Sequence, residues 1–96
     1  MMVKKKENVD LTKELSNVLE MMDSMMDDRS VPRNIKAAVE RAKNKILKTE
    51  EEVSLRISSA IYELDDISND INMPSHGRTM IWEIISELEF VKEKVK

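Results

Sequence analysis

The chain repeats one turn signature, and this repeat limits the folds open to it. Asp28 stands four residues before Pro32 at the end of an apolar-periodic stretch, and Asp70 stands four residues before Pro74 at the end of another. The offset from Asp28 to Asp70 is 42 residues, and a stretch with helical spacing follows each proline. Few residues are identical between the halves, so the shared turn chemistry and apolar register support the repeat. Each half is therefore predicted to be a hairpin of two helices.

Apolar residues recur at helical spacing in four stretches. Helix 1 is predicted over about residues 10–27 and helix 4 over about residues 73–94. The four apolar stripes are Leu11, Leu15, Val18, Leu19, Met22, Met25 and Met26; Val31, Ile35, Ala38, Val39, Ala42 and Ile46; Val53, Ile57, Ala60, Ile61, Leu64 and Ile67; and Ile81, Ile84, Ile85, Leu88, Val91 and Val95. Because aromatics are 3% of the chain and Gly occurs once, the composition favours helices over strands.

Three helix starts carry capping signatures. Ser30 is predicted to cap helix 2, with Pro32 in its first turn, and Asn72 is predicted to cap helix 4. Thr49 and Glu52 have the spacing of a capping box, which places the start of helix 3 just after Thr49. Short connections between these helices make consecutive helices antiparallel.

The predicted architecture is an all-α, four-helix up-and-down bundle made of two similar helical hairpins. A helical solenoid is the alternative, but solenoids generally need three or more repeats. Residues 8–96 are predicted to form this single domain, and the lysine-rich residues 1–7 are predicted to be disordered because they carry no periodicity. A core shared by all four helices should bury Leu19, Val39, Ile61 and Ile85.

Charge and composition narrow the functional classes. The formal net charge of −3 gives no overall attraction to nucleic acid or anionic membrane. There is no Cys, which suits a reducing compartment, and no apolar run long enough for a signal peptide or membrane span follows the basic N-terminus. We therefore expect a cytoplasmic protein with no membrane partner.

Two segments resemble a known family. The first is Ser30-Val31-Pro32-Arg33-Asn34-Ile35-Lys36-Ala37-Ala38, and the second includes Leu64-Asp65-Asp66-Ile67-Ser68-Asn69-Asp70, Asn72-Met73-Pro74, His76, Arg78-Thr79 and Ile81-Trp82. Over about Val9 to Val91 the chain resembles a small uncharacterised family of archaeal proteins of roughly this length. The resemblance implies a four-helix up-and-down bundle and no activity. The lysine-rich first seven residues lie outside it.

The residues that could carry chemistry have simpler structural interpretations. His76 is the only imidazole and there is no Cys, so a structural zinc site lacks its ligands, and we expect a capping or surface role. Asp28 and Asp70 are predicted to accept backbone N–H groups in equivalent turns, although a cation held by these turns stays open. There is no nucleophile–base pair and no cofactor fingerprint. We predict no catalytic, cofactor-binding or metal-binding residue, and therefore no enzyme.

Helix 2 is the basic part of the chain. It carries Arg33, Lys36, Arg41, Lys43, Lys45 and Lys48. A nucleic-acid site would add stacking aromatics or a recognised module, and helix 2 has neither. A solvated helix face is the preferred interpretation, and binding of RNA or a ribonucleoprotein through helix 2 is the alternative function.

The chain has three aromatic residues, and all of them fall off the core register. At 100° per residue, Leu55, Tyr62 and Phe90 point away from the apolar stripes, and Trp82 lies at the margin of its stripe. Protein interfaces are enriched in Tyr, Trp and Phe. We therefore predict a non-enzymatic protein–protein interaction or adaptor module with these four residues as its interaction surface. A homodimer is the expected partner, another protein is the second possibility, and nucleic acid is not expected.

Overall fold

The chain folds into four helices. The computed structural model describes the backbone of residues 2–95 and the side chains of residues 13–95. The helices are α1 (Met2–Met26), α2 (Arg33–Ile46), α3 (Val53–Ile67) and α4 (Ser75–Lys94), and the described backbone contains no strand. The helix α1 begins before the predicted start near residue 10. The predicted disorder of residues 1–7 stays a prediction, since residue 1 and the side chains of residues 2–7 lie outside the described part.

The helices pack as a closed ring. Each helix packs against its two neighbours in the order α1, α2, α3, α4, and α4 returns to pack against α1. A two-repeat solenoid would leave α1 and α4 apart, so this closure excludes that alternative and confirms the four-helix bundle. The pair α2 and α3 has the most extensive packing, and the small residues Ala38, Ala42 and Ala60 are fully buried on these two helices.

The core is built from aliphatic residues and methionine. Within the described side chains its fully buried members include Val18, Met22, Met25, Ile35, Val39, Ile46, Ile57, Leu64, Ile81, Ile84, Leu88 and Val91. Of the four predicted core markers, Val39 is buried, but the prediction was wrong in detail for Leu19, Ile61 and Ile85, which are half-buried at the edge of the core. Each of these three directly follows a buried residue, and the turn of about 100° per residue rotates it towards solvent.

One turn geometry connects all the helices. In the α1–α2 turn, the Asp28 N–H donates to Met25 O (3.2 Å) and the Val31 N–H donates to Asp28 O (3.2 Å). The same two bonds recur in the α3–α4 turn, centred on Asp70, and again in the α2–α3 turn, centred on Lys48. The two aspartate turns are thus equivalent in their backbone bonds. Similarity of the two whole hairpins stays a prediction.

The predicted caps were wrong. The N-cap residues are Pro32, Glu52 and Pro74, each in an extended conformation and none with a side-chain capping bond. Ser30 and Asn72 lie two residues before Pro32 and Pro74, so neither is the N-cap residue of its helix. The Thr49 capping box is also absent, because α3 starts at Val53.

No helix in the described part of the chain is both long enough and apolar enough to cross a bilayer.

Candidate functional site: a polar cluster and an exposed aromatic groove

The two aspartate turns lie at the same end of the bundle. Their carboxylates organise the turns, since Asp28 Oδ1 accepts the Ser30 N–H (2.9 Å) and Asp70 Oδ1 accepts the Asn72 N–H (2.7 Å). A carboxylate that accepts the N–H two residues on is the usual way in which Asp stabilises a turn. The predicted role of both aspartates is confirmed.

The same two carboxylates also link the halves of the bundle. Asn34 Nδ2 donates to Asp70 Oδ2 (2.9 Å), and His76 Nε2 lies 3.1 Å from Asp28 Oδ2. Asn34 and His76 are each the second residue of their helix, α2 and α4, and the 42-residue offset aligns them. Each half therefore reaches the aspartate of the other from the equivalent position. We call Asp28, Ser30, Asn34, Asp70 and His76 the turn-end cluster.

Within this cluster, Ser30, His76 and Asp28 contain the residue types of a nucleophilic triad, but their geometry differs from it. Ser30 Oγ lies 2.6 Å from Asp28 Oδ1, so its proton is donated to the carboxylate, and His76 Nε2 lies 2.8 Å from the same Oγ. In a triad the imidazole takes the serine proton at one nitrogen while the carboxylate holds the other nitrogen. Here a single imidazole nitrogen, His76 Nε2, lies within hydrogen-bond distance of both Ser30 Oγ and Asp28 Oδ2. The cluster is arranged as a structural link, and sequence reasoning missed the partner of His76.

Within the described residues, no group of three or more His, Cys, Asp or Glu side chains could hold a metal ion. Asp23, which the repeat pairs with Asp65, instead accepts a 2.6 Å hydrogen bond from Lys43.

Stability should fall in acid because of Asp28. The hydroxyl and the backbone N–H of Ser30, together with His76, hold the pKa of the Asp28 carboxyl below its usual value. A folded-state pKa below the unfolded one means that the carboxylate adds stability above the usual Asp range, about pH 4, and that this stability is lost as the pH falls through the lowered pKa. We expect Asp28→Asn to be less stable than the parent at pH 7, and the difference to shrink towards pH 2.

An NMR titration of the Asp28 side-chain carbon in the parent and in Ser30→Ala checks the cause directly. Ser30→Ala should raise the pKa of Asp28 towards its usual value, because the Ser30 hydroxyl bond is the largest contribution. An unchanged titration curve in Ser30→Ala would contradict this account.

The basic surface of α2 is partly neutralised by neighbouring acids. Arg41 pairs with Glu63 of α3 at 3.2 Å, and Lys43 pairs with Asp23 of α1 at 2.6 Å. Lys48 was predicted on helix 2 but lies in the turn after α2, 3.9 Å from Glu51. Half of the six basic residues therefore face acidic partners within the protein, which weakens their attraction for phosphate.

The exposed aromatic residues fall into two separate depressions. The exposed fraction is 74% for Tyr62, 57% for Trp82 and 54% for Phe90, while Leu55 is 51% exposed. Trp82 and Phe90 line one open groove of about 610 Å³ together with Met21 of α1. Tyr62 lines a different depression with Lys45 of α2. Of the four predicted surface residues, the structure brings together only Trp82 and Phe90 in one groove.

We call the first depression the α4 groove. It is lined by Met21, Thr79, Trp82, Glu83, Ser86, Glu87 and Phe90. At one end, Lys94 Nζ lies 4.8 Å from the centre of the Phe90 ring and also pairs with Glu14 of α1. A cation over an aromatic ring is attractive, so Lys94 interacts with both the Phe90 ring and α1. Met21 was not among the predicted surface residues, so sequence reasoning missed its contribution to this groove.

Comparison with known proteins identifies the family of this chain. It matches UPF0147, an uncharacterised protein family, over residues 2–91. A UPF0147 protein of Methanocaldococcus jannaschii is 55% identical over 78 residues, which cover 81% of this chain and 84% of that protein. A crystal structure of a UPF0147 protein from Thermoplasma acidophilum is 32% identical, with a TM-score of 0.79, over 83% of this chain and 94% of that one.

A second crystal structure, of the unknown-function protein MMP1188, is 49% identical with a TM-score of 0.79, over 81% of this chain and 89% of that one. The family match and these relatives confirm the family resemblance. The expectation that the lysine-rich first seven residues lie outside it was wrong for residues 2–7, because the family match starts at residue 2. The chain belongs to UPF0147, a family of uncharacterised proteins found in archaea.

Proposed function

We propose that this protein is a non-enzymatic protein–protein interaction module. The observation that carries the proposal is the placement of its three aromatic side chains, Tyr62, Trp82 and Phe90, which are all more than half exposed. Aromatic rings contribute more buried area per residue than other side chains, so a chain with few of them gains most stability by burying them. Here the core is aliphatic and the rings are on the surface, where they favour binding.

We propose that the first partner is a second copy, bound through the outer face of α3. Leu55 and Tyr62 lie seven residues apart on this face, which corresponds to two helical turns. The depression that Tyr62 lines also contains the small residues Ser58 and Ser59 and the oppositely charged Lys45 and Glu63. A two-fold interface brings the same surface of both copies together, and charges of both signs allow such a surface to complement itself.

Sedimentation equilibrium at micromolar concentrations tests the dimer. We expect the parent to be a dimer and Tyr62→Glu to be a monomer, because the new charge would be buried unpaired at the interface. Phe90→Glu is the matched control, since Phe90 lies in the other depression, and it should leave the dimer intact. A parent that stays monomeric would refute the dimer. If Phe90→Glu dissociated the dimer and Tyr62→Glu did not, the interface would lie in the depression that Phe90 lines instead.

RNA binding through α2 is the alternative function. It would produce an affinity for RNA that falls steeply with salt, because phosphate contacts release counterions. Weak, salt-insensitive RNA retention would favour the protein-binding proposal. A cytoplasmic location and the absence of enzymatic activity also stay predictions.

A further inference from the structure

We infer that the α4 groove is a docking site for a basic amphipathic helix of another protein. The inference rests on the proposed function and adds the chemistry of the partner. Three features of the groove support it: the spacing of its aromatic residues, the acidic side chains along its wall, and the poor fit of a second copy to that charge.

The floor of the groove has the spacing of a helix-binding site. Trp82, Ser86 and Phe90 follow one another at four-residue intervals, so they form one line along α4 about 12 Å long. Met21 of α1 contributes further apolar surface. A docked helix presents apolar side chains at positions i, i+4 and i+7 or i+8, which span a similar length. The small Ser86 between the two rings leaves room for a central side chain of such a helix.

The wall of the groove is acidic. Glu83 and Glu87 line it, and Glu89 lies next to Phe90 in the adjoining depression. Neither Glu83 nor Glu87 forms an ion pair among residues 13–95. Of the lysines nearby, Lys94 is already paired with Glu14, and Lys92 lies in the adjoining depression. An apolar floor with unpaired carboxylates beside it complements a helix with an apolar stripe flanked by Lys and Arg.

The same charges argue against a second copy in this groove. In a two-fold dimer each surface meets itself, so Glu83 and Glu87 of one copy would face the carboxylates of the other. Like charges that face each other across an interface oppose binding. The acidic wall also repels phosphate groups, which disfavours nucleic acid and anionic lipid as occupants.

The test uses a synthetic helical peptide of about 18 residues as the probe, with Leu at the i, i+4, i+7 and i+11 positions and Lys at the flanking positions. Trp82 is the only tryptophan, so its fluorescence reports occupation of the groove. We expect a saturable blue shift, because the indole becomes buried, and an affinity that decreases by about tenfold or more when salt is raised from about 50 to about 500 mM.

Charge-reversal variants locate the interaction. Glu83→Lys with Glu87→Lys should weaken binding by about tenfold or more. Asp65→Lys with Asp66→Lys is the matched control, because it makes the same change in net charge at exposed positions of α3. The control should bind the peptide with nearly the parent affinity. Equal weakening in both double variants would overturn the inference, since net charge alone would then explain the binding.

Two further peptides separate failure of the inference from failure of the proposed function. A peptide with the same lysines but Ser in place of Leu should not shift Trp82 fluorescence, and a shift with it would overturn docking on the apolar floor. A neutral peptide with the same Leu stripe should bind more weakly than the basic one. Equal binding would overturn the basic partner while leaving the protein-interaction module in place. No shift with any Leu-bearing peptide would overturn the α4 groove as a docking site, and the sedimentation test would then decide the proposed function alone.

Discussion

Leu64→Ala is expected to lower the free energy of unfolding by about 2–5 kcal/mol, the range measured for Leu→Ala in well-packed cores. Leu64 lies on α3, which packs between α2 and α4, and its side chain has no exposed surface. The loss combines the transfer energy of the deleted methyl groups with the cost of the cavity that they leave. Domains of this size are stable by about 5–15 kcal/mol, so this one substitution removes a large share of the total.

Leu47→Ala is the matched control, because it makes the same chemical change at an exposed residue that belongs to no proposed interface. Leu47 is 49% exposed, so its truncation leaves no closed cavity and should cost less than about 1 kcal/mol. Urea denaturation of the parent and both variants, fitted with a common slope, measures the two losses. Losses of similar size in Leu64→Ala and Leu47→Ala would contradict the burial of Leu64 in the core.

The apolar register was the part of the fold that could be predicted. Leu64, Ile57 and Ala60 lie on the predicted stripe of α3, and all three are buried in the structure. Helical spacing fixes which face of a helix is apolar, and a single-domain bundle must bury that face. The register is less informative at the edges of a stripe, which explains why Ile61 and Ile85 were assigned to the centre of the core and are half-buried.

Only two of the three turns could be predicted from the sequence. Asp28 and Asp70 were found because Asp carries a recognisable turn chemistry. The α2–α3 turn has the same backbone bonds around Lys48, yet no aspartate or proline marks it. Backbone hydrogen bonds can form this turn with many side chains, so a sequence reveals only the versions that have specialised residues.

The contacts between the halves could not be predicted from local patterns. Ser30 and His76 are 46 residues apart, and only the packing of α1 against both α2 and α4 brings their turns together. Gly77 is a similar case. A β-carbon there would lie 3.1 Å from the sulfur of Met73, so the glycine leaves room for a methionine from the preceding turn. Such contacts depend on how the helices and turns pack in three dimensions. The spacing of residues along the sequence does not determine that packing.

Arg56→Ala is expected to lower the free energy of unfolding by about 1.5–3 kcal/mol, the range for hydrogen bonds to a charged group. Arg56 Nε and Nη2 both donate to the Ile46 carbonyl, at 2.8 and 2.5 Å, and Ile46 is the last residue of α2. The final carbonyls of a helix lack intrahelical partners and carry the negative end of the helix dipole. The guanidinium of Arg56, in the first turn of α3, therefore supplies hydrogen-bond donors to a carbonyl at the end of α2 and links the two helices.

Arg78→Ala is the natural control, because Arg78 occupies the equivalent position of α4. It makes one longer bond, from Nε to the Ser68 carbonyl at 3.3 Å, so its loss should cost about 1 kcal/mol or less. Arg56→Lys keeps the positive charge but replaces the two donating guanidinium nitrogens with one ammonium nitrogen. It should therefore lower the free energy of unfolding by less than Arg56→Ala does. Urea midpoints at neutral pH measure all three variants. A larger loss in Arg78→Ala than in Arg56→Ala would contradict this role, because the two-donor contact would then contribute less than the single longer one.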